Sequence, residues 1–507
     1  MLPSTVVIPA FLLLTFIYIL SIFLRSNNKS KNARKSAPGP LALPVIGNLY
    51  LLGTHPHRKL QSLANKYGPI MSLWLGQVPA IVVSSPEAAE LFFKTHDPTF
   101  ASRPTNQATD HLFYGSQGVA FSEYGSYWRN MKKLCGKHLF SPSKSELFGP
   151  LRKEMVQTMV KSLEIAASMG EVVNLRDKVN GLLEDMVCKM IFGRTKDDQF
   201  DIKGLISQAF RLGGAFNLAD LVPCLAPFDL QGLTRRIKET AKGLDQMLEK
   251  IIKEHEQANK KNGKQEDFID MLLSLLAHQD TDGEQEYRIG RDNIKAIAVE
   301  IIFGAYETVS ITIEWVLSEL LRNPKVMKNL QDEIQKVVGI NRMVEETDLV
   351  YLNYLDMVIK ESLRLYPSGP FVPRESVEDV MVNGYYIQKK SRILINAWAI
   401  GRDPKIWSDN VHEFYPERFL NNDVDFQGNN FLLVAFGAGR RKCPGLQMAI
   451  ALAELVVAQL VHCFNWNLPN GMSPCDLDMS ETFGWTIPRS KPLLAMPTLR
   501  PHCKAHN

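Results

Sequence analysis

One long helix in the middle of the chain constrains the fold more than any other sequence feature. Its apolar face repeats every three or four residues and consists of Ile294, Ile297, Ala298, Ile301, Ile302, Ala305 and Thr308. The pattern ends at Asn323-Pro324, because proline cannot continue a helix. A helix of roughly 30 residues is about 45 Å long, so it crosses a whole domain. Glu307 and Thr308 place an acid and an alcohol in the middle of this apolar element.

The composition indicates one large, mainly helical domain. The chain has 507 residues, of which 45% are hydrophobic, and no linker rich in Pro, Gly or Ser divides it after residue 50. Residues 377–387 predict a hairpin that turns at Asn383-Gly384, and residues 392–400 predict a further strand. We therefore expect a mainly α fold with minor β structure. The net charge of +4, without a basic block interleaved with aromatic residues, argues against a nucleic-acid partner.

The N-terminal segment predicts a membrane anchor. Residues 6–24 carry no charge, and as a helix they span roughly 28 Å, close to the thickness of a bilayer core. Basic residues follow this segment and none precedes it, so the rest of the chain should face the cytosol. A cleaved signal peptide is the alternative, but it needs a basic start and an apolar core of about 7–15 residues. The segment has neither.

A second short segment separates the anchor from the rest. Residues 37–49 contain Pro38, Gly39, Pro40 and Pro44, and prolines at this density give a stiff, extended chain. We predict an anchor over residues 1–24, a basic and proline-rich hinge over 25–49, and one large domain over 50–507.

Cysteine usage leaves one residue to explain. Seven cysteines are scattered without a CxxC pair, so we expect neither a disulfide framework nor a structural zinc site. Cys443 lies in the stretch FGAGRRKCPG, residues 436–445. This stretch fails as a dinucleotide-binding loop, because Lys442 stands where GxGxxG needs a glycine. Half of a disulfide, a buried structural thiol and a thiolate metal ligand remain as interpretations.

The residues around Cys443 favour the metal ligand. Pro444 suits the first position of a helix, and an apolar series at helical spacing follows it, consisting of Leu446, Ala449, Ile450, Ala453, Val457 and Leu460. Cys443 is therefore expected at a helix N-terminus, where the dipole and free N–H groups lower the pKa of a thiol. Glycines let backbone approach a flat ligand closely, and Arg441 can pair with a carboxylate on that ligand.

The same stretch resembles the haem loop of the cytochrome P450 family of haem-thiolate monooxygenases. All fixed positions of the family pattern FxxGxRxCxG are matched, by Phe436, Gly439, Arg441, Cys443 and Gly445. Glu361 and Arg364 in KESLRLYP resemble the family's ExxR pair, and Arg418 in FYPERF resembles its PERF element. The resemblance implies that these three side chains form a buried network that holds the fold behind the haem and is not catalytic. The resemblance covers nearly the whole chain and is strongest to plant microsomal members. It implies a single P450-type haem domain, mainly α with minor β, behind a transmembrane helix.

The resemblance also implies roles for individual residues. Cys443 would be the axial ligand of haem b, with Phe436, Gly439 and Arg441 as further cofactor-binding residues. Trp128 and Lys132 in YWRNMKKLC resemble a WxxxR element that binds a haem propionate, with lysine in place of arginine. Lysine keeps the charge but loses the bidentate fork. Arg374 in VPRES matches a position that also reaches a propionate.

The long helix carries the implied catalytic pair. Residues 304–309 resemble the oxygen-activating motif [AG]Gx[DE]T[TS], with Glu307 and Thr308 as the pair that delivers protons. Ala305 replaces the usual glycine and Val309 the usual hydroxyl, so we expect a thinner polar relay and a narrower groove beside the haem.

By this resemblance, the protein hydroxylates a small hydrophobic plant metabolite with O2 and electrons from NADPH. The substrate is either a terpenoid such as a sesquiterpene or an aromatic of the phenylpropanoid or biphenyl type. The segments expected to line its pocket are mostly apolar and include residues 112–121, 370–372 and 483–485.

The partners follow from the same resemblance. No flavin or nicotinamide motif is present, so electrons would come from NADPH-cytochrome P450 reductase. This acidic partner would dock on a basic face that consists of Lys132, Lys133, Lys137 and Arg440-Arg441-Lys442. The location would be the endoplasmic reticulum membrane, with a single span and a cytosolic domain. A haem-thiolate isomerase or dehydrase that needs no reductase is the main alternative, and a non-catalytic haem sensor is a third.

Overall fold

A computed structural model describes residues 35–194, 202–262, 267–278 and 289–500, with five isolated positions between 9 and 18. Apart from those positions, the predicted anchor and hinge residues 25–34 lie outside the described residues. The described chain is mainly helical with minor sheets, which confirms the predicted fold class. The α-helices are α1 (Pro56–Tyr67), α2 (Pro86–Glu90), α3 (Gln107–Leu112), α4 (Ser126–His138), α5 (Pro142–Leu147), α6 (Gly149–Met169), α7 (Leu175–Phe192), α8 (Ile202–Gly213), α9 (Leu218–Leu221), α10 (Leu233–Asn262), α11 (Phe268–His278), α12 (Arg291–Arg322), α13 (Pro324–Val338), α14 (Asn353–Leu365), α15 (Ala397–Ile400), α16 (Pro404–Trp407) and α17 (Leu446–Cys463).

The described strands form three small sheets. They are β1 (Ile70–Leu75), β2 (Val78–Val83), β3 (Val173–Asn174), β4 (Phe371–Glu375), β5 (Val380–Val382), β6 (Tyr385–Ile387), β7 (Arg392–Asn396), β8 (Phe464–Asn467) and β9 (Leu494–Leu499). The largest sheet has the order β1-β2-β7-β4, in which only the β2–β7 pair is parallel. A second sheet has the order β3-β9-β8, and β5 and β6 form the third.

Helix α12 is the long helix predicted from the apolar repeat. It packs against α7, α14 and α17, and it ends at Arg322, immediately before Asn323-Pro324. The second half of α12 is enclosed on all sides, because Trp315, Val316 and Leu320 are all fully buried. The helix therefore forms the centre of the main core and positions its polar pair, Glu307 and Thr308, inside the protein.

The hairpin and the strand predicted between residues 377 and 400 are confirmed only in part. The hairpin turning at Asn383-Gly384 is confirmed, since β5 and β6 pair antiparallel and both turn residues have positive φ, +49° and +76°. The strand predicted over residues 392–400 is wrong in its second half, because β7 ends at Asn396. The Asn396 side chain accepts a hydrogen bond from the Ala399 N–H, caps the short helix α15 and turns the chain.

The described part of the hinge lies against β1. The Ser72 N–H donates to the Pro38 carbonyl at 2.8 Å, and the Ser72 hydroxyl donates to the Ala37 carbonyl at 2.6 Å. A Cβ at Gly39 would lie 2.0 Å from the Ser72 carbonyl oxygen, so only glycine permits this approach. The hinge is thus attached to the sheet by hydrogen bonds. The prediction of an extended segment is wrong for residues 43–47, where Leu43 and Gly47 exchange two backbone hydrogen bonds of 2.9 Å across a turn.

Among the described residues, α12 and α17 are long and apolar enough to cross a membrane. Most of the apolar window of each helix is buried inside the protein, 67% in α12 and 72% in α17. Core packing accounts for the apolar character of both helices.

Candidate active site

The loop that carries Cys443 is a tight turn built on two glycines. Gly437 and Gly439 have φ of +68° and +67°, and the Cys443 N–H donates to the Phe436 carbonyl at 3.0 Å. A Cβ at Gly439 would also lie 2.5 Å from the Phe93 carbonyl oxygen. Position 439 therefore needs glycine for both its backbone angle and its close packing.

Two local expectations for Cys443 are corrected. Helix α17 begins at Leu446 with Gly445 as its N-cap, so Pro444 lies outside it and Cys443 does not occupy the first turn. Burial raises the pKa of the Cys443 thiol above its ordinary value, and the Gly445 N–H and the Arg103 charge only partly offset this effect. The predicted lowering was wrong, because desolvation of the thiolate outweighs the single N–H group that reaches it.

Arg103, Glu300 and Cys443 form a partly enclosed group of ionisable side chains. Each of the three residues is only partly accessible, and desolvation is the largest influence on the pKa of each group. The charges of Glu300 and Cys443 both raise the pKa of Arg103. Arg103 therefore links the cysteine loop electrostatically with helix α12, which carries Glu300.

Two buried arginines form a cluster of cations with Arg103. Arg103, Arg374 and Arg441 repel one another, and burial together with this repulsion lowers the pKa of Arg441 to about 9 and that of Arg374 well below its ordinary value. Some of the guanidinium N–H groups donate to backbone carbonyls. Arg374 donates to the Ala438 carbonyl at 3.1 Å, and Arg441 donates to the Ala101 carbonyl at 2.6 Å. Arg103 Nε, however, has no hydrogen-bond partner among the described residues.

Trp128 and Lys132 lie on α4 beside this cluster. The Trp128 indole donates to the Val119 carbonyl at 3.0 Å, and the Arg441 guanidinium lies over its ring at 4.1 Å. Lys132 donates to the Arg440 carbonyl at 2.6 Å, and its ammonium lies 5.2 Å from the Trp128 ring centroid. The structure therefore brings the predicted cofactor-binding residues of α4 and of the cysteine loop together.

The cation cluster indicates an anionic ligand. Buried guanidinium groups that repel one another are costly unless negative charge compensates them. Asp97 and Glu300 offset part of the repulsion, but burial raises the pKa of both carboxyls, and the pKa of each arginine stays lowered. Two carboxylates on one flat ligand would supply that charge and a partner for Arg103 Nε. A haem, with two propionates and an iron that takes a thiolate, fits both the cations and the accessible sulfur of Cys443.

Helix α12 carries the second polar part of the site, the pair Glu307 and Thr308. Gly304 is exposed although it lies in the middle of a core helix, and Ala305 and Thr308 are partly accessible, so this face borders a space. The Thr308 hydroxyl donates to the Gly304 carbonyl at 2.6 Å. Glu307 accepts a hydrogen bond from the Thr486 hydroxyl at 2.9 Å, and burial raises its pKa. The described contacts thus link Glu307 to Thr486 rather than to Thr308.

Aromatic rings from four separate parts of the chain meet near this pair. We call them the aromatic wall, which consists of Phe113, Phe121, Phe210, Phe303 and Trp485. Ring centroids are 4.6 Å apart for Phe113–Phe121 and 4.5 Å apart for Phe210–Phe303. A cavity of about 320 Å³ lies beside the wall and is lined by residues that include Phe210, Tyr306, Glu307, Phe483, Trp485 and Thr486.

A buried ionic network supports the site from α14. The Arg364 guanidinium holds both carboxylate oxygens of Glu361, at 2.7 and 2.8 Å, and both side chains are fully buried. Arg418 donates to Glu361 at 2.9 Å, and Arg364 also donates to the Gly401 and Val411 carbonyls. The expectation of a buried structural network is confirmed.

The fold and this site together define a haem-thiolate class of helical protein, because a cysteine in a glycine-rich loop, a cluster of buried cations and a buttressed central helix occur together. Comparisons with known proteins lead to the same class. The family model for cytochrome P450 matches residues 37–494. Cytochrome P450 CYP736A12 of Panax ginseng is 52% identical over 472 residues, which cover 93% of this chain and 94% of the relative. Cytochrome P450 71A1 of Persea americana is 41% identical and covers 95% of this chain and 97% of its own length.

The chain therefore belongs to the cytochrome P450 family, and its cofactor is haem. The sequence patterns did not reveal several residues of the site: Arg103, Glu300, Phe210, Phe303 and Thr486. None of them belongs to a motif we could recognise, and each enters the site through contacts with residues distant in the chain.

Proposed function

We propose that this protein is a monooxygenase that hydroxylates a small hydrophobic plant metabolite with O2 and electrons from NADPH. The observation that supports it best is that Arg103 interacts electrostatically with both Cys443 of the cysteine loop and Glu300 of α12, the helix that also carries Glu307 and Thr308. Haem would supply the oxygen chemistry, and the protein would supply binding, orientation and protons.

The cofactor contacts follow from the geometry. The Cys443 sulfur is the proposed iron ligand. Arg374, Arg441 and the previously unpredicted Arg103 are the proposed carboxylate partners, because they form the buried cation cluster. Trp128 and Lys132 complete this side, while Phe436 and Gly439 shape the loop that presents the sulfur.

Proton delivery is proposed for Glu307 and Thr308. The Glu307 carboxyl has a raised pKa, so it holds a proton more readily than a solvated glutamate, and it lines the cavity of about 320 Å³. Thr486 orients this carboxyl by its hydrogen bond. Thr308 must release its hydrogen bond to Gly304 before its hydroxyl can donate elsewhere.

The aromatic wall supports a small apolar substrate. Flat rings pack favourably edge-to-face or offset against such a wall, so an aromatic of the phenylpropanoid or biphenyl type suits it well. A terpenoid such as a sesquiterpene would be held by the same surface through apolar burial alone. Both classes stay in the proposal.

The partners and location are proposed with the activity. We infer that NADPH-cytochrome P450 reductase supplies the electrons. The protein would be held by one span, residues 1–24, in the endoplasmic reticulum membrane, with a hinge over 25–49 and a cytosolic haem domain over 50–507. The uncharged residues 6–24 and the basic residues that follow them support this topology.

Labelled dioxygen tests the activity. The full chain would be expressed in microsomes with a plant reductase and supplied with pooled apolar plant metabolites under isotopically labelled O2. One labelled oxygen atom per product, formed only with NADPH, is the expected result. Conversion without label or without NADPH would instead favour the isomerase or dehydrase alternative.

The Cys443→Ser variant tests the metal ligand. It should lose the carbon monoxide absorption band that is specific for thiolate-bound haem, because a serine oxygen does not reproduce the sulfur donor. Cys463→Ser is the matched control, since Cys463 is buried in the adjacent helix and its sulfur lies 3.8 Å from Gln459 Oε1, a contact that serine can also make. An unchanged band in Cys443→Ser would disprove the assignment.

A further inference from the structure

Glu300 on α12 holds one segment of the chain by its backbone. Its Oε2 accepts hydrogen bonds from the N–H groups of Val119 and Ala120, at 2.6 and 3.0 Å, and its Oε1 accepts one from Phe121 at 3.4 Å. Three consecutive N–H groups on one carboxyl group hold the segment by its backbone. We call residues 118–122 the clamped segment.

Gly118 makes this approach possible. A Cβ at position 118 would lie 2.2 Å from the carboxyl carbon and from one carboxyl oxygen of Glu300. No side chain can be accommodated at that distance without displacing either the segment or the carboxylate. The sequence around position 118 is therefore matched to an acid at position 300.

The opposite side of the clamped segment is bound by two proposed haem-binding residues. The Val119 carbonyl accepts hydrogen bonds from both the Trp128 indole and the Arg441 guanidinium, each at 3.0 Å. Arg441 also donates to the Ser122 carbonyl. The same peptide units thus connect Glu300, through their N–H groups, with the cation cluster, through their carbonyls.

The clamped segment also carries one ring of the aromatic wall. Phe121 lies 4.6 Å from Phe113 and 5.8 Å from Trp485, measured between ring centroids. A shift of the segment would therefore move a wall residue as well as the carbonyls that orient Arg441.

We propose that Glu300 is a positioning residue for the monooxygenase reaction. Its carboxylate fixes the clamped segment, and the segment in turn orients Arg441 and Trp128 toward the cofactor and Phe121 toward the substrate. This inference rests on the proposed function, but its first test does not require a working enzyme.

The first test measures backbone protection. In the purified full chain, the amides of residues 119–121 should exchange hydrogen about tenfold faster in Glu300→Ala, the order expected when a hydrogen bond is lost. Glu300→Gln should give an intermediate increase, because its carbonyl oxygen still accepts while its NH2 group opposes the Phe121 N–H. Glu319→Gln is the matched control, since Glu319 is buried on the same helix and bonded elsewhere, to Tyr366 and Asn323.

The second test measures the consequence for the cofactor. Transfer of haem to apomyoglobin should be about tenfold faster in Glu300→Ala than in the wild type, and binding of 4-phenylimidazole, an aromatic probe that ligates haem iron, should weaken by a similar factor. Glu319→Gln should leave the exchange of residues 119–121 and the probe affinity unchanged. The thiolate-specific carbon monoxide band should persist in every variant, because Cys443 is untouched.

Gly118→Ala disrupts the contact with Glu300 by a change in the clamped segment, because the added Cβ would collide with the carboxyl group. It should accelerate exchange and haem loss as Glu300→Ala does, and the double variant should be no worse than either single variant, because both break one contact. Additive losses, or exchange at residues 119–121 that is insensitive to position 300, would overturn the proposal. A wild type without a thiolate band, but with exchange sensitive to Glu300, would refute the proposed function and the haem-related role while leaving the clamp itself intact.

Discussion

The hydroxyl of Thr308 is the residue-scale feature on which the proposed proton delivery depends. Thr308→Ala removes that hydroxyl, so product formed per NADPH should fall by about a hundredfold while NADPH oxidation continues and hydrogen peroxide accumulates. Product and peroxide would be measured together in reductase-supported microsomes. Unchanged coupling in this variant would remove Thr308 from the relay.

Thr312→Val provides the control for that experiment. Thr312 lies one turn further along α12, donates to the Thr308 carbonyl at 3.0 Å and contacts the Ser368 hydroxyl at 3.0 Å. Replacing it disturbs hydrogen bonding and packing on the same helix without removing the proposed donor. Coupling should therefore be retained in Thr312→Val even if the protein is less stable.

At the residue scale, sequence patterns predicted those parts of the candidate site that lie in one contiguous motif. Phe436, Gly439, Arg441 and Cys443 were all placed in one loop by their spacing, and the structure brings that loop to Trp128. Arg103 was not predicted, because its role arises from proximity to Glu300 and Cys443, which are 197 and 340 positions away in the sequence. The pKa of Cys443 was wrongly predicted, since burial cannot be read from local sequence.

Among the structural elements, the network on α14 should be a major source of stability. Glu361→Gln leaves Arg364 buried with a neutral partner, so the free energy of unfolding should fall by about 3 to 5 kcal/mol. Asp332→Asn breaks an exposed pair with Lys328 on α13 and should cost only about 0.5 kcal/mol. Urea unfolding of the two variants, followed by far-ultraviolet circular dichroism, measures the contrast. Equal losses would mean that the α14 network is not a buried support.

Helix α17 contains a carboxyl whose protonation should influence stability. Burial, with a smaller contribution from Asp356, raises the pKa of Glu454 to about 8. In the unfolded chain this carboxyl ionises near its ordinary pKa of about 4.3, whereas in the folded protein it keeps its proton up to about pH 8. The free energy of unfolding is therefore highest below about pH 4.3 and falls as the pH rises to about 8, because only the unfolded state is stabilised by ionisation in that range. Glu454→Gln, which stays neutral, should therefore lose less stability than the wild type between about pH 5 and pH 8.

Thermal unfolding across that pH range measures this difference. Glu87→Gln replaces an exposed carboxylate on α2 and should reproduce the wild-type profile. Parallel profiles for Glu454→Gln and the wild type would contradict the prediction.

Helices and strands were predicted correctly where a helical repeat or a turn sequence within a short stretch of chain determines them. The extent of α12 and the β5–β6 hairpin followed from a helical repeat and from Asn383-Gly384. Residues 397–400 were predicted as strand because they are apolar, but the Asn396 cap makes them helical. A short continuous apolar run cannot distinguish a buried strand from one buried helical turn, and here a single side-chain hydrogen bond decides between them.

For the molecule as a whole, the aromatic wall shows why the pocket could only be predicted in part. Residues 112–121 and 483–485 were expected to line it, and Phe113, Phe121 and Trp485 do lie in the wall. Phe210 and Phe303 were missed, because nothing in α8 or α12 alone indicates that these two rings stack at 4.5 Å. The pocket is a product of tertiary packing between elements that are far apart in the chain.

The basic face of α4 is the surface on which the reductase is proposed to dock. Lys133 and Lys137 are exposed on α4, the helix that also carries Trp128, and Lys132 connects α4 to Arg440 of the cysteine loop. This basic face therefore lies beside the loop that carries the proposed iron ligand. The double variant Lys133→Glu/Lys137→Glu should raise the KM for reductase by about tenfold at low salt and leave reduction by dithionite unchanged, because only protein–protein attraction is altered.

Ionic strength and a matched control separate docking from a general effect of charge. The variant Lys59→Glu/Lys66→Glu makes the same change in net charge on exposed positions of α1, and its KM for reductase should stay near the wild-type value. Near 1 M salt, where the screening length falls to about 3 Å, the wild type and the α4 variant should converge, because screened charges no longer guide the encounter. If both double variants lost the same activity, net charge alone would explain the effect and α4 would not be the docking surface. A difference that persisted at high salt would instead indicate that Lys133 or Lys137 supports the fold of α4.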